Sequence, residues 1–141
     1  MLPFSRMKHV CFDVEDIEKA EALFAEVFGV ESTGINTISL EGGKGVVKTT
    51  FFHLEKGSVE LACHHLPESW GDSPINRGPG FHHLAFEVDD FDAALSSLAE
   101  QGVFPLPRFP FKTPHGRVAF FQPGQTGGIL FELCEGKEDE K

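Results

Sequence analysis

Four residues of this chain have the types and spacing to hold a divalent cation: His9, Glu60, His83 and Glu132. They form two His–Glu sets. His83 lies 74 positions after His9, and the two His-to-Glu intervals are 51 and 49 residues. Two imidazoles and two carboxylates make a nitrogen–oxygen donor set without thiolate. Such a set favours Co, Ni, Mn or Zn over an iron–sulfur or Cu(I) site. Four protein donors leave one or two positions open on a five- or six-coordinate ion, and catalysis needs an open position. A lone histidine at a strand end, or a lone glutamate in "VELA", is ordinarily a surface or core residue. Their pairing in two places carries the metal reading.

The elements that would position these residues repeat. With His9 aligned on His83, Val14-Glu15-Asp16 falls on Val88-Asp89-Asp90. Each triplet is followed by apolar residues near a period of 3.6: Ile17, Ala20, Phe24, Val27 and Phe28 in the first copy, Phe91, Ala94, Leu95 and Leu98 in the second. Asp16 and Asp90 are expected N-caps, because a carboxylate accepts from the unpaired N–H groups of the first turn. Gly29 and Gly102 stand where the helices should stop. Strand-like runs follow each helix: "INTISLE", "GVVKTTFFHL" and "SVELACHH", then "FPLPRFPF", "RVAFFQP" and "GILFELCE". Proline removes a ladder donor, so the "FPLPRFPF" edge should be irregular. The fold class expected is α+β: two tandem βαβββ modules whose mixed sheets form a metal-binding cleft. The modules span 6–66 and 80–135, with a linker at 67–79 and a charged tail at 136–141.

Strand parity sorts the side chains. Val10, Phe12 and Val14 should lie under the first helix, with His9, Cys11 and Asp13 on the opposite, open face. Leu84, Phe86 and Val88 likewise oppose His83, Ala85 and Glu87, and Ile129, Phe131 and Leu133 oppose Leu130, Glu132 and Cys134. In "SVELAC", Val59, Leu61 and Cys63 oppose Ser58, Glu60 and Ala62. His83 is therefore the mate of His9. His82 falls on the helix side or at the strand edge, in a supporting role and not as a ligand. His53, His64, His65 and His115 have no repeat-mates, and His64 and His65 read as surface residues.

Composition narrows the function. The net charge of −10 lacks the basic balance of a nucleic-acid binder, although a local basic patch could still serve an anionic small molecule. No apolar run reaches the length of a membrane span, and "MLPFSRMK" lacks the apolar core of a signal peptide. Three widely spaced cysteines, Cys11, Cys63 and Cys134, suggest reduced thiols and a cytoplasmic protein. "GGKG" at 42–45 is not followed by the Ser or Thr of a phosphate-binding loop.

With these residues in place, the chain resembles the vicinal oxygen chelate (glyoxalase-like) superfamily. Within it, the chain is most similar to the methylmalonyl-CoA epimerases. "DSPINRGPGFHHLAFEVDDFDAAL" and "HGRVAFFQPGQTGGILFELCE" carry the likeness. The resemblance implies an isomerase that inverts the carbon between thioester and carboxylate of an acyl-CoA through an enolate, with Lewis-acid help from a divalent metal. It implies His9, Glu60, His83 and Glu132 as metal ligands, Glu132 also close to the proton transfer, and a homodimer acting on a small-molecule acyl-CoA. The family pattern places a glutamate where this chain has Gly43, and a His-Pro where it has Gln122-Pro123. Two residues are candidates for the second base: Glu41, on the same strand face as residue 43 if the strand is regular, and Lys48. Lys48, Arg77, Lys112 and Arg117 are candidates for the coenzyme A phosphates. Two other functions compete: a glyoxalase I-like lactoylglutathione lyase, and a metal-free protein of the same fold that sequesters a ligand. The "QTGGILFEL" ending and the full donor set favour the epimerase.

Overall fold

Asp16 and Asp90 start the two helices as the sequence implies. In this computed structural model, which describes residues 6–136, the Asp16 carboxylate accepts from the Lys19 N–H at 3.1 Å and Asp90 accepts from the Ala93 N–H at 3.0 Å. Each bond satisfies one otherwise unpaired amide of a first turn. The first helix ends at Gly29, whose φ of 68° is the left-handed conformation that glycine adopts without strain. Gly102, at φ 81°, follows the second helix. The charged tail predicted at 136–141 lies, beyond Gly136, outside the described residues.

The elements run β1 (Arg6–Asp13), α1 (Ile17–Phe28), β2 (Asn36–Leu40), β3 (Gly45–Leu54), β4 (Gly57–His65), β5 (Gly80–Val88), α2 (Phe91–Glu100), β6 (Phe111–Thr113), β7 (Gly116–Phe120) and β8 (Phe131–Glu135). The architecture is α+β, a βαβββ module stated twice. The described residues divide into two units, one of residues 9–82 and one of residues 83–136 with residues 6–8.

In the 9–82 unit, β1 lies parallel to β4, β4 antiparallel to β3, and β3 antiparallel to β2. The β3–β4 hairpin closes on Leu54 and Gly57, a two-residue turn that fixes its register. Helix α1 packs on β3 and β4. Ile17 is buried, and Phe24 meets Phe52 with ring centres 4.4 Å apart. Glu21 lies against the same sheet, accepting from Ser32 Oγ at 2.5 Å and Thr50 Oγ1 at 3.4 Å. Two sequence expectations fail here. Val27 and Phe28 are 69% and 64% exposed, because α1 meets the sheet through Ile17, Glu21 and Phe24 and leaves its last turn outside. Phe12 is 38% exposed, since α1 packs mainly on β3 and β4.

In the 83–136 unit, β5 lies parallel to β8, β8 antiparallel to β7, and β7 antiparallel to β6. The Pro-rich segment is irregular as expected, with only the three-residue β6 at its end. Phe91 and Ala94 of α2 are buried against Val88, Ala119, Phe121, Phe131 and Leu133, and Leu95 and Leu98 pack on them. Phe121 and Phe131 stack with centres 4.7 Å apart. Arg117 ties α2 to the sheet: it donates to Asp92 at 2.9 and 3.2 Å and to Glu135 at 3.0 and 3.3 Å, with its guanidinium over the Phe91 ring. That guanidinium holds both carboxylates below their ordinary range. At the start of β1, Arg6 reaches Asp89 at 2.7 Å and Lys8 reaches Glu87 at 3.4 Å.

In each module the face away from the helix carries buried side chains where an open surface was expected: His9, Cys11, Asp13, Thr49 and Ala62 in one unit, and His83, Ala85, Glu132 and Cys134 in the other. If the two caps are equivalent parts of one repeat, Asp16→Ala and Asp90→Ala should each lower unfolding stability by about 1 kcal/mol. Urea denaturation checks this. A loss confined to one variant would show that the two helix starts do not carry equal weight.

Candidate functional site

The geometry of each unit follows from one parallel strand pair. In the 9–82 unit Glu60 stands beside Cys11, and in the 83–136 unit Glu132 stands beside Ala85. Parallel neighbours point to the same face, so each glutamate shares a face with the histidine two residues before its partner. Cys11 and Ala85 are small and fully buried, which lets the longer side chains meet across them. His9 Nε2 lies 3.1 Å from Glu60 Oε1, and His83 Nε2 lies 3.3 Å from Glu132 Oε1. All four side chains are largely withdrawn from solvent. A buried carboxylate needs a cation or donors to offset its desolvation, and here the same kind of partner is supplied twice.

These separations fit metal donors. Two ligand atoms about 2.1 Å from one ion, at angles between octahedral and tetrahedral, are about 3.0–3.4 Å apart. Both His–Glu pairs fall in that range, so each can present one nitrogen and one oxygen to a divalent ion without rearrangement.

An aromatic wall repeats with the pairs. Phe51 stands across from Glu60 on β3, and Phe120 stands across from Glu132 on β7. Phe51 meets the His9 ring edge-on with centres 5.3 Å apart, and Phe120 meets His83 at 4.9 Å. Sequence reasoning missed this pair, although both precede the last strand of their copy. It also missed Thr49, whose hydroxyl donates to Glu60 Oε2 at 2.5 Å. Thr49 pairs with Ala62 and Val118 pairs with Cys134, so the matching position in the second unit is the apolar Val118. The side chain at that position carries no hydroxyl to offer Glu132.

Lys48 is misplaced as a candidate base. It pairs with Cys63 on β4, one step out of phase with the Phe51–Glu60 pair, and so lies on the sheet face opposite Glu60. Its ammonium sits 3.7 Å from Glu18 of α1 and is 41% exposed. Glu41 is not on a strand. It begins a 3-10 turn, Glu41–Gly43, at φ 46°, so the parity argument does not apply to it. Its carboxylate accepts from Ser69 Oγ at 2.6 Å and Trp70 Nε1 at 2.8 Å, which fixes its direction. Among the cations proposed for phosphate, Arg117 is committed to Asp92 and Glu135, Arg77 donates to the His82 carbonyl at 3.3 Å, and Lys112 is exposed on β6.

Among the histidines without a repeat-mate, His64 differs from expectation. His65 is exposed, but His64 is withdrawn, its Nδ1 2.8 Å from Asp13 Oδ1. His82 is fully buried with Nε2 2.5 Å from the Ile75 carbonyl. No disulfide joins the described cysteines, and burial pushes the Cys63 thiol up, away from the thiolate a nucleophile requires. Among the described residues no helix is long and apolar enough to cross a membrane.

Comparison with known proteins identifies the family of the chain. The sequence profile of the Glyoxalase/Bleomycin resistance protein/Dioxygenase superfamily matches residues 8–121. Uncharacterized protein YqjC of Bacillus subtilis is 31% identical, with 96% of each chain aligned. The mitochondrial methylmalonyl-CoA epimerase of Bos taurus is 35% identical over 91% of this chain and 73% of that one. The crystal structure of methylmalonyl-CoA epimerase from Mycobacterium tuberculosis superposes with a TM-score of 0.75 at 26% identity, covering 97% of this chain and 93% of the other.

Thr49→Val keeps the side-chain volume and removes the hydroxyl that holds Glu60. It should weaken Co(II) affinity by about tenfold, the lower end of the range for losing a partner of a metal ligand. Competition against a chelating dye measures this. Unchanged affinity would show that the hydroxyl does not govern how Glu60 presents its oxygen.

Proposed function

Because this chain belongs to the Glyoxalase/Bleomycin resistance protein/Dioxygenase superfamily, we propose that it is a metal-dependent epimerase of methylmalonyl-CoA or a related 2-substituted malonyl-CoA. The relatives named methylmalonyl-CoA epimerase support an isomerase of that kind. The observation that carries the site is the His–Glu pair present at equivalent positions of both units. In the proposed site His9, Glu60, His83 and Glu132 together hold one divalent ion. When bound, the ion supplies Lewis-acid stabilisation for negative charge that develops on a substrate oxygen.

The substrate carbon between a thioester and a carboxylate carries a weakly acidic hydrogen. Epimerisation breaks that C–H bond, leaves its electron pair shared with the thioester oxygen, and returns a proton to the opposite face. Glu132 is the proposed proton carrier on one face. Glu41, directed by Ser69 and Trp70, is the proposed carrier on the other. The edges of Phe51 and Phe120 limit how far the imidazoles of His9 and His83 can turn.

The test is incubation of the Co(II)-loaded protein with one epimer of methylmalonyl-CoA in deuterated water, beside a parallel assay with the glutathione hemithioacetal. One solvent deuteron at the α-carbon and equilibration of the epimers are expected, with no hemithioacetal turnover. Glu132→Gln should slow exchange by about 10²–10⁴-fold, and Glu41→Gln should suppress exchange from one epimer more than from the other. Absence of wash-in, or turnover of the hemithioacetal in its place, would overturn the assignment.

A further inference from the structure

The 9–82 unit holds a second cluster of metal-type donors that the epimerase chemistry does not use: Asp13, His64 and His82. One ligand atom of each lies within 4.8 Å of those of the other two. His64 Nδ1 is 2.8 Å from Asp13 Oδ1, and His82 Nε2 is 3.8 Å from Asp13 Oδ2. The carboxylate thus turns one oxygen toward each imidazole. The two rings lie nearly parallel, 13° apart with centres 4.4 Å apart. Asp13 and His82 are buried, and the His64 side chain is 9% exposed.

From this geometry we infer a second divalent transition-metal site, formed by one oxygen of Asp13 and one nitrogen each of His64 and His82. The Asp13 carboxylate is withdrawn from water between two imidazoles, where a negative charge is poorly solvated. A divalent ion offsets that charge and uses all three groups as ligands. Two imidazoles and one carboxylate suit Co, Ni, Cu(II) or Zn and disfavour Mg or Ca, which take oxygen ligands. The separations of 2.8 and 3.8 Å bracket the value of about 3.0–3.4 Å expected for two ligands on one ion. Small side-chain shifts bring both into range. The Ile75 carbonyl, 2.5 Å from His82 Nε2, accepts a hydrogen bond from that nitrogen and is placed to serve as a fourth donor, an oxygen. Binding through these nitrogens leaves each imidazole's proton on its other ring nitrogen.

His64 and Asp13 come together because His64 extends the Glu60–Ala62 face of β4 and Ala62 pairs with Asp13. The same parallel ladder that makes the His9–Glu60 pair therefore makes this cluster at its far end. No residue is shared with the proposed catalytic set, so the two assignments stand or fall separately.

The experiment is equilibrium dialysis against Co(II), with metal counted by mass spectrometry and the fold checked by circular dichroism. The parent protein should hold two equivalents. Glu60→Ala with His83→Ala should hold one, and adding His64→Ala to that protein should leave none. Asp13→Asn and His64→Gln, each made alone, keep similar volume and provide folded alternatives; each should leave one equivalent. If the Glu60/His83 variant and both single variants keep the parent count, neither cluster binds as assigned. If only the Asp13 and His64 variants keep it, the second site is wrong and the catalytic one stands. If the Glu60/His83 variant keeps two equivalents while His64→Gln loses one, the second site stands and the catalytic assignment fails.

Discussion

The constraint on which the rest depends is the burial of a glutamate on a sheet face twice over. A carboxylate withdrawn from water costs several kcal/mol unless a cation or donors compensate it. In each unit the compensation is an imidazole at about 3 Å, delivered by the register of a parallel strand pair. The register in turn places a small residue, Cys11 or Ala85, beside the glutamate, so that nothing large stands between imidazole and carboxylate. A slip of one residue would send each glutamate to the helix side, into the apolar cluster of Phe131 and Leu133 in one unit and of Phe52 and Leu61 in the other.

Duplication explains the likeness of the units, and the departures from it carry information. Phe51 and Phe120 keep the aromatic wall, whereas Val118 stands at the position that matches Thr49. Glu60 therefore has a fixed second partner, and the corresponding contact is absent from the Val118 position. Asp13, His64 and His82 are a further departure, since the repeat-mate of Asp13 is Glu87, which meets Lys8 and Arg6 at its own sheet position.

Much of this was legible in the sequence because it rests on local rules. The caps at Asp16 and Asp90, the stops at Gly29 and Gly102 and the alternation along β1, β4, β5 and β8 need only neighbouring residues. The errors arose where non-local geometry decides. Lys48 falls on the wrong face because the phase of β3 against β4 is set by the Leu54–Gly57 turn, and "LEKG" carries no strong hairpin signal. Glu41 reads as strand, but the two glycines after it let the chain enter a 3-10 turn. His64 reads as surface because a β4 side chain meets Asp13 only through the parallel pairing of β4 with β1. Val27 and Phe28 fit the helical period, yet the sheet beneath α1 does not extend under the last turn.

The central claim is that the two His–Glu pairs act on one ion. Crystals grown with Co(II) and measured at the cobalt absorption edge test it most directly. The account predicts an anomalous peak about 2.1 Å from a nitrogen of His9 and of His83 and from an oxygen of Glu60 and of Glu132. A peak bound to one pair alone, with the other His–Glu contact still closed, would contradict it.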